Sequence, residues 1–170
     1  MNPALVALGS NLAPREDHLR QGIARLQEIP RTTLVRCSSL YETAPLGESY
    51  GGVFLNGVAR LATDLEPEEM LRHLLRIEEG FGREKKNRRG DRRLDLDLLD
   101  HGGSVVESFE LMLPHPRMLW RPFVLVPLFE VLPTWVDPKC GISVGTLIGR
   151  QKNLQQIRWS ARCPKLGAAS

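Results

Sequence analysis

Residues 94–99 read Leu-Asp-Leu-Asp-Leu-Leu, and no other stretch constrains the fold as tightly. Side chains on a β-strand alternate between its two faces. Leu94, Leu96 and Leu98 therefore enter a core, while Asp95 and Asp97 share the opposite face, roughly 6–7 Å apart. Two carboxylates at that separation repel by about 2–3 kcal/mol at an effective dielectric near 20. A sheet that accepts them must leave that face in water or bring cations to it. Cations stand directly upstream: residues 83–93 carry Arg83, Lys85, Lys86, Arg88, Arg89, Arg92 and Arg93 against Glu84 and Asp91. The formal net charge of +3 conceals this local excess, which calls for an anionic partner.

Oxygen ligands with no Cys or His beside them suit a hard cation such as magnesium, which accepts one or two carboxylates and completes its shell from water and phosphate. Arginines would close on the same phosphates with paired N–H donors. Taken alone, the two aspartates fit a solvated surface strand equally well; the basic segment tips the balance. His115 lies between Pro114 and Pro116, with Arg117 and Arg121 close behind. Stiff backbone and cationic neighbours suit phosphate there, whereas His18, His73 and His101 have no such setting. The chain has no GxxxxGK[ST] string, so a P-loop is unsupported. "GSN" at 9–11 reads as a tight turn after a strand. Cys37, Cys140 and Cys163 form no CxxC pair and read as isolated reduced thiols.

Periodicity orders the rest. "ALVALG" at 4–9 reads as a strand. Pro14 fits the first position of a helix in which Leu19, Ile23 and Leu26 recur up to Pro30. Residues 32–43 and 53–63 read as two further strands. Pro67 opens a second helix, with Met70, Leu71, Leu74, Leu75 and Ile77 as its buried face. Residues 80–93 read as a mobile loop, and 94–99 as the next strand. A turn with a short strand is expected at 101–107, a helix near 122–131, and a last short helix within 142–149. The order is β-α-β-β-α-β with additional C-terminal elements. This is an α+β, ferredoxin-like sandwich: an antiparallel sheet with both helices on one face. One domain is expected over 1–150, followed by a polar tail over 151–170. No apolar run reaches the roughly 18 residues of a spanning helix, and the N-terminus lacks the character of a signal peptide. The sequence therefore reads as a cytoplasmic protein with no membrane partner.

"GSN", "ETAPLG" (42–47), "FLNGV" (54–58), "RIEEGFGR" (76–83), "RRLDLDLL" (92–99) and "LPHPRMLWRPFVLVPL" (113–128) follow one another in an order and spacing that resemble the 6-hydroxymethyl-7,8-dihydropterin pyrophosphokinase family. The resemblance runs from about residue 4 to residue 133. It implies transfer of the β,γ-diphosphate of ATP to the hydroxymethyl group of the pterin, leaving AMP, in folate biosynthesis. It further implies two magnesium ions held by Asp95 and Asp97. The pterin would lie between Phe54 and Phe123, with Thr43, Asn56 and the backbone near Leu46 at its polar edge. Glu78, Arg83, Arg88, Arg92, His115 and Arg121 would meet the nucleotide, Arg83 and Arg92 among the catalytic groups together with the two aspartates. Outside the resemblance, Phe54 and Phe123 read as core.

The chain departs from the family pattern where Trp-Gly-Pro-Arg is usual: it has Arg89-Gly90-Asp91-Arg92. Glu110 and Met112 replace the usual arginine and threonine. A pterin-binding homologue with weak or altered activity is therefore a competing expectation. An RNA-binding module on the basic loop is another, disfavoured by few aromatics and no RNP string. A monomer with small-molecule substrates and no nucleic-acid partner is expected.

Overall fold

The computed structural model describes residues 1–44, 52–82 and 91–163. β1 (Asn2–Ser10) leads into α1 (Arg15–Gln27); β2 (Thr32–Cys37), β3 (Leu40–Thr43), β4 (Phe54–Thr63), α2 (Pro67–Gly80) and β5 (Asp95–His101) follow. A two-stranded ribbon of β6 (Val106–Glu107) and β7 (Met112–Leu113) comes next. Then come α3 (Pro122–Val131), α4 (Val144–Gly149) and β8 (Ile157–Ala161). The main sheet runs β5-β1-β4-β3-β8, with β2 also paired to β4, and every pairing is antiparallel. This is the ferredoxin-like α+β sandwich with additions.

The single strand expected over 32–43 is divided. Cys37 pairs with Ala59 and Tyr41 with Asn56, so one extra residue lies on this side of the ladder. Two serines provide it. Ser38 Oγ accepts the Val58 N–H at 2.9 Å, and Ser39 turns away to donate its N–H and hydroxyl to Glu130 on α3, both at 2.8 Å. A bulge of this kind re-aims the strand that follows.

β1 is buried on both faces, which is why its sequence is an unbroken apolar run rather than an alternation. Val6, Leu8, Leu94, Leu96 and Leu98 pack under Leu19, Ile23 and Leu26 of α1 and Met70 and Leu74 of α2. Leu5, Val58 and Leu99 pack on the other side under Val124, Leu125 and Leu128 of α3 and Val144 of α4. The expectation of both helices on one face holds for α1 and α2. The additional helices close the opposite face. On α2, Met70 and Leu74 are buried as expected, but Leu75 is 42% exposed and Glu78 is fully buried.

Residues 151–170, expected as a polar tail, include β8, which pairs with β3 as an edge strand. Nor are the thiols all isolated: Cys37 and Cys163 are hydrogen-bonded, and with burial this pushes the Cys37 thiol far up. Among the described residues no helix is long and apolar enough to cross a membrane.

Candidate active site

On the α3 side of the sheet, the end where β1 stops and β4 and β5 begin brings the candidate residues together. Gly9 stands opposite Asn56 on one side and Asp95 on the other. A Cβ placed on Gly9 would lie 3.3 Å from Asn56 Oδ1, 3.8 Å from Asp95 Cβ and 3.9 Å from Phe54 Cδ1. Three residues expected to serve the pterin and the metal thus converge on one spot that only a missing side chain keeps open. Asp97 faces Ala7, the next small residue along β1.

Asn56 is buried, and its amide donates to Thr43 Oγ1 at 2.8 Å across the β3–β4 pair. Its Oδ1 meets that same open spot beside Gly9. Thr43 lies directly opposite Phe54. Pairing therefore lines up Thr43, Phe54 and Asn56 on the face that carries Asp95 and Asp97.

Cations reach the two carboxylates from both sides. Arg92 Nη1 contacts Asp95 Oδ1. Arg121 Nη1 approaches Asp97 Oδ2 at 3.9 Å, and its guanidinium carbon lies 5.6 Å from the centre of the Phe123 ring at the start of α3. Burial makes Arg121 a weaker base than usual; Arg117 adds to this, and Asp97 and Asp95 oppose it. The His115 N–H donates to Leu99 O at 2.8 Å, which fastens the 113–117 segment to β5. Burial lowers the His115 pKa, opposed by Asp97 and reinforced by Arg121 and Arg117. His115 Nδ1 accepts the Arg117 N–H at 3.3 Å, so its Nε2 is the nitrogen left for a ligand.

Glu78 occupies a different setting. Its side chain is fully buried, and Oε1 accepts the Leu96 N–H at 2.8 Å. Among the described strands β5 pairs with β1 alone, so Glu78 supplies an acceptor that a neighbouring strand would have given. Glu110 is exposed and Met112 is 46% exposed, on the β6–β7 ribbon. Leu46, Arg83, Arg88 and Arg89 lie outside the described residues, as do Lys85 and Lys86.

Sequence reasoning passed over two residues of this site. Gly9 reads as part of a turn, yet its φ is not positive, and what it supplies is space. Asn11 belongs to the same turn and is 8% exposed; its Oδ1 accepts the Arg92 N–H at 2.6 Å. A polar residue after a strand carries no mark of a partner 81 positions away.

A family model described as 7,8-dihydro-6-hydroxymethylpterin-pyrophosphokinase matches residues 5–133. A Synechocystis sp. protein named 2-amino-4-hydroxy-6-hydroxymethyldihydropteridine pyrophosphokinase is 43% identical over 145 residues, covering 85% of this chain and 74% of the relative. A Bacillus subtilis protein of the same name is 42% identical over 130 residues, covering 76% and 78%. Among solved structures, wild-type Plasmodium falciparum HPPK-DHPS with pteroate superposes with a TM-score of 0.70 at 15% identity, over 87% of this chain and 42% of that one. The chain thus spans less than half of that two-part structure, and the likeness bears on the fold.

Proposed function

The chain belongs to the 7,8-dihydro-6-hydroxymethylpterin-pyrophosphokinase family, and from that premise we propose how its side chains divide the reaction. The activity is ATP-dependent pyrophosphoryl transfer to hydroxymethyldihydropterin in folate synthesis. The hydroxymethyl oxygen loses its proton to solvent and forms a bond to the β-phosphorus, the bond from that phosphorus to the α,β-bridging oxygen breaks, and AMP departs with that oxygen. Such a transfer asks for in-line positioning and for neutralised charge.

The convergence of Asn56, Phe54 and Asp95 around Gly9 carries the reading, because it puts a flat-ring surface, an amide edge and a carboxylate within reach of one small molecule. Phe54 and Phe123 would stack on the pterin. Asn56 and Thr43, already joined by a hydrogen bond, would read its polar edge, with the Leu46 backbone beside them. A fixed amide presents its remaining donor and acceptor in one orientation only.

Two half-buried carboxylates on one strand face, set opposite Gly9 and Ala7, fit magnesium, which needs few protein ligands when phosphate and water supply the rest. Two magnesium ions held by Asp95 and Asp97 would, when bound, offset polyphosphate charge and polarise the phosphorus–oxygen bonds. Arg92 and Arg121 now rest against these aspartates, one step from the phosphates they would hold. His115 Nε2 would add a donor, and Arg83 and Arg88 further charge. Glu78 would act on the nucleotide side by fixing the edge of β5 rather than by exposing its carboxylate. We extend the reading to a monomer working in the cytoplasm, with the catalytic domain in 1–150.

Incubation with magnesium, ATP and 6-hydroxymethyl-7,8-dihydropterin tests it. AMP and pterin diphosphate should form together, and AMP only when the pterin is present. Pterin binding with no AMP would instead mark a silent homologue and overturn the proposal.

A further inference from the structure

Arg92 lies in a stretch, 91–94, that belongs to no helix or strand. Something outside that stretch must therefore fix its backbone, and Asn11 does so from the end of β1. The N–H groups of Asn11 and Leu12 both donate to Arg92 O, at 3.1 and 3.4 Å. The Asn11 side chain completes the grip. Its Oδ1 accepts the Arg92 N–H at 2.6 Å, and its Nδ2 donates to Asp91 Oδ1 at 3.3 Å. One carboxamide thus spends its acceptor on residue 92 and a donor on residue 91. Asp91 and the Arg92 N–H together fix which way the amide is turned: flipped, its oxygen would meet the Asp91 carboxylate, acceptor against acceptor, and its NH2 group the Arg92 N–H, donor against donor. The arginine's N–H and C=O are both held, and its guanidinium contacts Asp95 three residues on. Asn11 itself is 8% exposed, which shields its short bond to the Arg92 N–H from bulk water.

We propose that Asn11 and Asp91 are positioning residues: the Asn11 carboxamide, oriented by the Asp91 carboxylate, sets where the Arg92 guanidinium stands before ATP arrives. This inference rests on the reading of Arg92 as a phosphate contact. It assigns a role to Asp91, which in bulk terms only dilutes the basic segment. Asp91 acts as a hydrogen-bond acceptor, so its charge is dispensable. The effect falls on the rate of transfer, since neither residue is among those expected to touch the pterin.

The test compares Asn11→Ala, Asp91→Ala, Asp91→Asn and Arg92→Ala, reading kcat, KM for each substrate, and the Arg92 amide resonance in the free protein. Asn11→Ala should lower kcat by about 10- to 100-fold, the scale of a small misplacement of a charged group, with the pterin KM within about twofold. Its Arg92 amide proton should move upfield as the short hydrogen bond is lost. Asp91→Ala should lower kcat about fivefold, the worth of one hydrogen bond, and Asp91→Asn should restore it because the Asn oxygen still accepts. Asp91 is exposed, so Asp91→Ala keeps the test open if Asn11→Ala does not fold. A slow Arg92→Ala beside unchanged kcat in Asn11→Ala and Asp91→Ala overturns the inference alone. Asp91→Asn as slow as Asp91→Ala overturns the acceptor role. Normal kcat in Arg92→Ala removes the reading of Arg92 beneath it.

Discussion

Asp95 and Asp97 project from the strand face that β1 meets with Gly9 and Ala7, so both carboxylates have room on the neighbouring strand and a cation in contact or close by. A residue-scale prediction follows from that setting. Asp95→Ala or Asp97→Ala should lower kcat by about 1,000-fold or more, the scale of losing a preorganised electrostatic contact. The measurement is AMP release at saturating substrates, and near-normal turnover would falsify the assignment. A second residue stands at the rim. Arg15, in the first turn of α1, donates from Nη1 to Val53 O at 2.8 Å and from Nη2 to Glu42 Oε1 at 2.7 Å. These two partners precede Phe54 and Thr43 in sequence, so one guanidinium ties together the strands that carry two of the residues proposed to contact the pterin. The pair is about a third exposed, and solvent screening limits what it contributes. Arg15→Ala should therefore raise the pterin KM by about threefold and change the ATP KM less. An unchanged pterin KM would remove Arg15 from the site.

At the scale of elements, the strands and helices that carry a strong period were legible and the joints between them were not. The alternation of 94–99 gives β5 and its two faces, because burial on one side only leaves a period-two trace. Leu19, Ile23 and Leu26 give the inner face of α1 for the corresponding helical reason. The division of 32–43 left no such trace, because it depends on Glu130, 91 positions away, accepting from Ser39. Nor could Glu78 be read as buried: a glutamate in a helix ordinarily faces water, and its position follows from the edge of β5 that no other described strand covers. Likewise β8, Ile-Arg-Trp-Ser-Ala, alternates for only five residues inside a polar stretch, and it is its pairing with β3 that marks it as a strand. These cases share a cause: each depends on a partner distant in sequence, whereas local pattern records only which side of an element is buried. Glu130 allows a test of the joint. It accepts from Ser39 N–H, Ser39 Oγ and Tyr41 Oη, the last at 3.2 Å. Glu130→Ala should cost about 1–3 kcal/mol of stability, since it leaves half-buried donors on the strand bearing Thr43 without an acceptor. Urea unfolding measures this directly. A loss within about 0.5 kcal/mol, the range of an ordinary surface change, would mean that β3 holds its bulge without α3.

For the molecule as a whole, covering the sheet on both faces has a consequence for acid stability. Where α3 and α4 close the second face, Asp100 of β5 is drawn in with Leu5, Leu99 and Trp135 and is 3% exposed. Gly103 N–H donates to its Oδ2 at 3.2 Å, and its Oδ1 is also buried. Burial pushes the Asp100 pKa up and nearby Asp137 pushes the same way; hydrogen bonds from the Gly103 N–H and the Trp135 side chain, and the charge of His101, only partly offset this. In the unfolded chain the same carboxyl titrates near the ordinary value of about 3.9. Between the two values the folded state binds more protons than the unfolded one, so stability rises as pH falls through that window. Asp100's contribution is thus fully present below about pH 3.9 and is lost as pH rises through its raised folded value. Other carboxylates act in the opposite sense: Glu69 and Glu107 are held below their usual values, Glu69 first by the Glu66 N–H and Glu107 by Lys139, so their contributions fade on acidification. A comparison with Asp100→Asn isolates the buried group, since the other terms are common to both proteins. As pH falls through the raised folded value toward about pH 4, the unfolding free energy of the wild type should gain on that of Asp100→Asn. The check is urea unfolding of both proteins at closely spaced pH values. A difference that stays constant, or that moves in favour of the variant on acidification, would mean that the second helical layer does not seal this end of β5 from water.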